Sequence, residues 1–513
     1  MLKLASYAFL PGGEDEHERI SDATLETVWL RSRRLALFRA LVKEYVKKNV
    51  RVATANGWPA DALSVAEAVG HLALEIRSNV SAEAMPAWIF VACSETVCPK
   101  EILREVRLRF PGTRNIQCST SCRGVTTDAG FLTTQCDDGR QRSLSLFCVF
   151  DPLGTYCTVG TAPCTCSLST RRFEQKMDWA YLQLRKGSLS ILRSQEEDPA
   201  VPGPEPLCEH LVIWISGLPG TEEGLLEALY DWGHKRFGRS VPVVGGSAAD
   251  ATIGGKWATF CLQADGMQQF FDEESGSGAV ITLIASSVKV FPCFMHPFTP
   301  LPEVTARVLS CGSTEEAKDE PMGRVMHQLR DASGKVGPAG TMYREWCEEH
   351  IQKRSMPEPE TAKGPADFSP AVLAASTACP LGVQVGRSGE FAFDYRMMHP
   401  SGIYFFSEGM APRQDDAYLK CFASVEAGRS DVVLFTASRG DLLHRLAKLK
   451  EQLAQQIDRC SSGSGREMAS HSVDALRAQV SGVLMTYCAG CMMAISSNRD
   501  GPEQMRRLTS SIA

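Results

Sequence analysis

Five short stretches carry side chains able to bind or react. Gly245-Gly246-Ser247 closes an apolar run, where glycine-rich backbone can turn N–H groups toward an anion. No Gly-Lys-Ser/Thr follows it, and no Gly-x-Gly-x-x-Gly follows any strand-like run, so a tight structural turn is the stronger reading and nucleotide binding the weaker. Cys488-Ala-Gly-Cys491 has the spacing of a redox pair, since such spacing at a helix start lowers a thiol pKa. Against that stands the small buried hydrophobe that a free cysteine usually is. Arg396 follows Phe391-Ala392-Phe393, and a partly buried guanidinium there can grip a carboxylate ligand through two parallel hydrogen bonds, or else pair with an internal acid. Ser94-Glu95 and Ser216-Gly217 place hydroxyls at the ends of apolar runs, but no Gly-x-Ser-x-Gly surrounds them and acyl transfer has no positive support.

Metal chemistry is poorly served. Cys164-Thr-Cys166 and Cys118…Cys122 lack a nearby histidine, and none of the 10 histidines pairs at i, i+4; His210, His399 and His444 each have an equally good surface or hairpin reading. No metal and no catalytic residue is expected.

The elements that must position these stretches repeat. A strand–helix–strand unit runs from Ala87–Cys93, through a helix with Ile102, Leu103, Val106 and Phe110 on one face, to Asn115–Thr120. A second runs from Leu211–Ser216, through a helix carrying Leu225, Leu226 and Leu229, to Val241–Ser247. Further strands are expected over Leu144–Phe150, Trp257–Leu262 and Ala279–Ala285. In the second half Asp431–Thr436 leads toward a helix with Leu442, Leu443, Leu446, Leu449 and Leu453, and Gly482–Cys488 starts another unit. Continuous apolar strands beside amphipathic helices predict an α/β protein, α+β mixed in detail, with sheets covered by helices. The small or polar residue closing each strand falls where such sheets open a ligand crevice, so Cys93-Ser94, Ser216-Gly217, Ser247 and Cys488 are topologically comparable. Asp22–Val50 reads as one or two amphipathic helices with a basic outer face, and Ser194–Pro206, Lys353–Pro370 and Ser461–Arg466 as linkers or long loops.

Composition removes whole classes. The chain has 513 residues, 44% hydrophobic and 22% charged, which predicts a folded protein of two or three domains. A net charge of −6 without a charged tail gives no reason to expect nucleic acid or an anionic membrane. No apolar run approaches the roughly 18 to 20 residues that span a bilayer, and MLKLASYAFLPGG is too short for a secretory signal, so a cytoplasmic protein is expected. The 19 cysteines are odd in number and scattered, which favours reduced thiols.

Three segments carry a family resemblance. Ile116-Gln117-Cys118-Ser119-Thr120-Ser121-Cys122 looks like a hydrophobic-Gly-Cys-Ser-Thr-x-Gly turn, and Val241–Asp250 is close to V-P-x-x-G-G-x-A-x-D. The third segment comprises Tyr343–Trp346, Cys379–Val383, Tyr395-Arg396, Ser401–Phe405 and Met485–Gly490. Taken in order they resemble the FIST domain proteins (F-box and intracellular signal transduction), in both the FIST N and FIST C halves, over roughly residues 80 to 513. The resemblance implies a non-catalytic sensory module that binds a small ligand, amino acids among the suggestions, joined to a signalling output or to an F-box. A branch of similar fold binds haem and senses nitric oxide. The chain departs from the pattern at Gln117 and Cys122, where glycines are usual, and at Cys491, where arginine is common. It also ends at Ala513, before the expected terminal strand, so a shortened C-terminal half is expected.

The resulting expectation is a helical extension over 1–79, a FIST N-like domain over 80–300 and a FIST C-like domain over 301–513. A small polar metabolite would bind near Ser119, Thr120, Gly245, Gly246, Ser247, Arg396 and Cys488 and relay to a partner protein in a signalling pathway. The alternatives are a ubiquitin-ligase substrate adaptor or scaffold without a working pocket, for which no F-box is evident in the first 80 residues, and a haem-binding gas sensor. No cofactor is expected beyond that haem alternative.

Overall fold

A computed structural model describes residues 50–59, 61–80, 84–121, 125–127, 130–132, 134–135, 141–162, 167–193, 211–218, 221–249, 256–272, 274–291, 298–312, 324–354, 379, 381–384, 395–396, 403–404, 419–421, 427–437, 451 and 484. In chain order the first elements are β1 (Arg51–Asn56), α1 (Val65–Ser78), β2 (Trp88–Cys93), α2 (Pro99–Arg109) and β3 (Ile116–Thr120). Two small hairpins follow, β4 (Val125–Thr127) with β5 (Gly130–Leu132) and β6 (Thr134–Gln135) with β7 (Gln141–Arg142). Then come β8 (Leu144–Phe150), β9 (Thr155–Thr161), α3 (Ser167–Arg193), β10 (Leu211–Gly217), α4 (Glu222–Phe237), β11 (Val243–Ser247), β12 (Thr259–Leu262), β13 (Gln268–Phe271) and β14 (Ala279–Ala285).

These build two sheets, of order β1-β8-β2-β3-β12-β13 and β11-β10-β14-β9. Among the described residues the parallel ladders are β2 with β3 and β10 with β11, each pair enclosing one helix, so both strand–helix–strand units expected from the sequence form. The strands Leu144–Phe150 and Ala279–Ala285 fall where the sequence predicts them. Leu225 and Leu229 are buried as expected, whereas Leu226 is exposed, because it lies about 100° around the helix from the buried stripe of Leu225, Ala228, Leu229 and Trp232.

Period-two alternation decides which face each strand side chain takes. Ile89, Val91, Cys93, Ile116, Cys118, Leu146 and Cys148 pack against the apolar stripes of α1 and α2. Their alternates Trp88, Phe90 and Phe147 turn the other way and meet Trp214, Tyr156 and Ile284 of the four-stranded sheet. That sheet buries Ile213, Ile215, Val159, Ile281 and Leu283 against α3 and α4. The order of layers is therefore helices, sheet, sheet, helices, and each sheet is covered by helices on one face only. The local starts and stops fit: Ser64 and Glu67 form a capping box at α1, Pro99 opens α2, and Gly238 closes α4 at φ 68.

The β9 edge of the four-stranded sheet is buried and closed by residues that flank β3 and β12 of the neighbouring sheet. Thr158 N donates to Asn115 Oδ1 at 2.9 Å, Ala264 N donates to Thr158 O at 3.3 Å, and Gly160 N donates to Gln263 Oε1 at 3.4 Å. Edge groups that could template another chain are thereby used inside the fold.

The remaining strands are β15 (Phe298–Gly312), β16 (Arg324–Asp331), β17 (Val336–Pro338), β18 (Leu381–Gln384), β19 (Tyr395–Arg396), β20 (Ile403–Tyr404), β21 (Leu419–Cys421) and β22 (Asp431–Ala437), with α5 (Ala339–Arg354). They form a third, antiparallel sheet of order β19-β18-β22-β15-β16-β21-β20, with β17 on β16. Its core joins Val308, Met326, Leu329, Val432 and Leu434 to Met342 and Tyr343 of α5. Arg307 of β15 grips Asp431 of β22 through two nitrogens. The helices expected over Asp22–Val50 and Leu442–Leu453, the Gly482–Cys488 strand apart from Leu484, and the linkers at Ser194–Pro206 and Ser461–Arg466 lie outside the described residues, Val50 and Glu451 aside.

Candidate functional site

The two parallel pairs end side by side. β2 and β3 finish at the Cys93–Thr120 pair, and β10 and β11 at the Gly217–Ser247 pair. Backbone hydrogen bonds carry the chain past both ends: Ser121 N donates to Cys93 O at 2.7 Å and Ala248 N to Gly217 O at 2.8 Å. A third joins the two units directly, with Ala249 N donating to Thr120 O at 3.0 Å. Ser119 and Thr120 are thus brought to Gly245, Gly246 and Ser247 across the junction of two sheets.

Each of these residues has a local reason for its place. Gly245 has φ 132, and a Cβ there would stand 2.0 Å from Ile215 O, so the close approach of β11 to β10 demands glycine. Gly246 and Ser247 pair with Ser216 and Gly217 and remain half-buried. Thr120 is buried; its hydroxyl accepts from Ala258 N at 2.9 Å while its own N–H donates to Ala258 O at 2.9 Å, which ties β3 to the approach of β12. Ser119 is also buried, and its hydroxyl donates to Thr120 O over a long 3.4 Å. Arg396 lies in the two-residue strand β19 opposite Val383 of the third sheet. Cys488 lies outside the described residues.

Gln117, marked in the sequence only as a departure from the glycine of the family pattern, organises the space beneath this junction. Gln117 is wholly buried two positions before Ser119, where period-two alternation points it at the other sheet. Its amide nitrogen donates to Ser216 Oγ at 2.9 Å and Val280 O at 3.1 Å, and its oxygen accepts from Thr282 Oγ1 at 2.6 Å. Thr282 and Thr158 hydroxyls meet at 2.9 Å, extending the network to β9. The position where glycine would be usual for the resemblance is therefore filled, and a polar seam crosses between the sheets.

A second buried hub is Asp151, in the turn between β8 and β9. Its carboxylate accepts from Gly154 N at 2.8 Å, Tyr156 Oη at 3.0 Å, Ser286 Oγ at 2.7 Å, Ser287 N at 2.9 Å and the Ser287 hydroxyl. Burial, with Asp151 beside it, pushes the Tyr156 phenol well above its ordinary pKa. This ties the β8–β9 turn to the segment that leaves β14.

The described cysteines near the strand ends are unsuited to thiolate chemistry. Burial pushes Cys93 and Cys261 up to about 12, with Glu95 and Asp265 respectively adding to the rise, and holds Cys118 well above its ordinary value. Among the described residues no three His, Cys, Asp or Glu side chains gather as a metal site would require, and no helix is long and apolar enough to cross a membrane.

Comparison with known proteins bears on this same region. No curated protein matches the chain. From β2 to the far end of β15, across both parallel pairs and the junction between them, residues 87–314 match the family model of the FIST N domain.

Proposed function

We propose that the chain is a sensory module that binds a small polar metabolite where its two strand–helix–strand units meet and relays occupancy to a partner protein. FIST domains are a signal-transduction sensory family, and the matched region contains both units whole. The observation that carries the reading is the Ala249–Thr120 hydrogen bond, which makes the two strand ends one locus edged by Ser119, Thr120, Gly245, Gly246 and Ser247. A ligand touching both ends binds best when the units hold one mutual position, so its differential affinity biases one arrangement over others. Arg396 and Cys488 belong to this reading as contributions of a FIST C-like half over 301–513, with Arg396 receiving a carboxylate. The reading needs neither catalysis nor a cofactor, and it is of a cytoplasmic protein.

Thermal unfolding of the whole chain against amino acids, small carboxylates, nucleotides and haemin tests it. A ligand at 100 times its Kd stabilises by about 2.7 kcal/mol, enough for a visible rise in Tm. A rise confined to one class of small polar metabolite supports the reading, and Arg396→Ala should abolish it for a carboxylate. No rise with any compound moves the weight to a scaffold, and a rise with haemin alone favours a gas sensor.

A further inference from the structure

Below the Gln117 seam the space between the sheets turns aromatic. Trp88 and Phe90 of one sheet meet Trp214 of the other, with ring centroids 5.9 Å and 5.4 Å away, and Phe147 packs beside Trp88 within its own sheet at 6.3 Å. Two features separate this cluster from the other cores. Its six members all keep 3–9% of their surface exposed. On the opposite faces of the same strands Ile89, Val91, Leu146, Cys148 and Ile213 keep none. The rest of the space between the sheets is closed, since Gln117, Thr158, Thr282, Val280 and Cys261 keep none, so the residual exposure is confined to the aromatic cluster.

The second feature is polar. Among the described residues, three buried side-chain N or O atoms have no hydrogen-bond partner, and two of them are the indole nitrogens of Trp88 and Trp214. A buried donor left unpaired costs about 1–3 kcal/mol, and native folds keep few of them. Chance placement would scatter such atoms, yet these two come from opposing sheets and share one cluster. The cluster is rimmed by half-buried Val52, Val149 and Val244, and Val244 lies on β11, the edge strand of its sheet.

We propose that this aromatic cluster is a second binding site, for a small, flat, mostly apolar molecule that carries a hydrogen-bond acceptor such as a carbonyl oxygen. Aromatic rings supply stacking and edge contacts to the body of such a guest, and its acceptor satisfies an indole N–H that the protein leaves unpaired. The site is independent of the strand-end reading: it uses different residues and a different ligand chemistry, and Gln117 separates the two.

Acetophenone and α-methylstyrene, which share a shape and differ in C=O against C=CH2, test it on the full chain. Indole-15N tryptophan labelling gives one signal for each of the 8 tryptophans, assigned for this pair with Trp88→Phe and Trp214→Phe. Acetophenone should move the Trp88 or Trp214 indole proton downfield and bind about 5- to 10-fold tighter than α-methylstyrene, the worth of one net hydrogen bond. The matching Trp→Phe variant keeps an aromatic ring but no N–H donor and should bind the two probes equally. Equal affinity of the two probes for the unmodified chain, indole protons unmoved by either, or exchange showing each indole N–H already bonded to a buried water would overturn the proposal. None of those outcomes touches the strand-end reading, whose ligands are polar.

Discussion

Gln117→Met replaces a buried amide by an apolar side chain of nearly the same length, and it isolates the worth of the seam between the two sheets. Three hydrogen bonds disappear, to Ser216 Oγ, Val280 O and Thr282 Oγ1. At about 1 kcal/mol net apiece they account for about 3 kcal/mol. Thr282 keeps Thr158 as a partner, but the Ser216 hydroxyl is left buried without one, which adds about 1–2 kcal/mol. The expected loss is about 4–5 kcal/mol in urea-induced unfolding followed by tryptophan fluorescence, with Trp88 and Trp214 reporting from beside the seam. Adding Thr282→Val should cost less in the Gln117→Met background than alone, a coupling of about 1–2 kcal/mol, because its partner has already gone. An unchanged midpoint for Gln117→Met, or strict additivity with Thr282→Val, would refute the view that this network fixes one sheet on the other.

Other consequences are equally direct. Gly245→Ala should break the β10–β11 pairing and lose hydrogen-exchange protection along β11, since its Cβ would meet Ile215 O at 2.0 Å; Gly238→Ala, at φ 68 with nothing within 4 Å, should cost only about 1 kcal/mol. Alkylation at pH 8 mapped by peptide mass spectrometry should mark exposed Cys98 in the folded chain and spare Cys93, Cys157 and Cys261, which burial pushes up to about 12, until urea is added. Lys176, whose ammonium burial holds below its ordinary pKa, gives a pH signature: between its folded pKa and its unfolded value the unfolded chain binds more protons, so stability from this residue rises with pH through that window. Lys176→Met should remove this contribution, so its urea midpoint should become progressively lower relative to that of the unmodified chain as pH increases toward 10.5, and a pH-independent difference would remove the assignment.

What was legible in the sequence is whatever follows from local pattern. Ile102, Leu103 and Val106 repeat at helical spacing and are all buried on α2, and the apolar runs at Trp88, Leu144, Leu211 and Ala279 are strands with nearly the expected bounds. Strand ends bearing Thr120 and Ser247 were legible as a locus because each closes a repeat of the same unit. Less legible was α3: its 27 residues mix Arg, Lys and Gln among Phe173, Met177, Tyr181 and Leu184, and the apolar stripe is narrow beside so much charge. The short strands of the third sheet were marked by the resemblance segments Cys379–Val383, Tyr395-Arg396 and Ser401–Phe405, but local pattern gave their pairing little signal, since two- to four-residue strands are defined by partners distant in sequence.

The packing of sheet on sheet was out of reach for a third reason, and it is the one that bears on function. Alternation assigns Trp88, Phe90 and Gln117 to one face and Ile89, Val91 and Cys118 to the other, but a run apolar on both faces does not say which face meets helices. A lone polar residue in such a run is the informative exception. Gln117 on a helix-facing side would have buried an amide among Ile102, Leu103 and Val106, with little to bond; its burial therefore requires a facing surface that supplies hydroxyls and a carbonyl. β10 and β14 supply them through Ser216, Thr282 and Val280. The same reasoning distinguishes the two proposed sites. At the strand ends most polar groups have partners within the fold, and a ligand there must offer exchange for existing bonds or add to half-used hydroxyls. In the aromatic cluster two donors have no partner within the fold, and a guest with a single acceptor gains a bond that the protein alone forgoes.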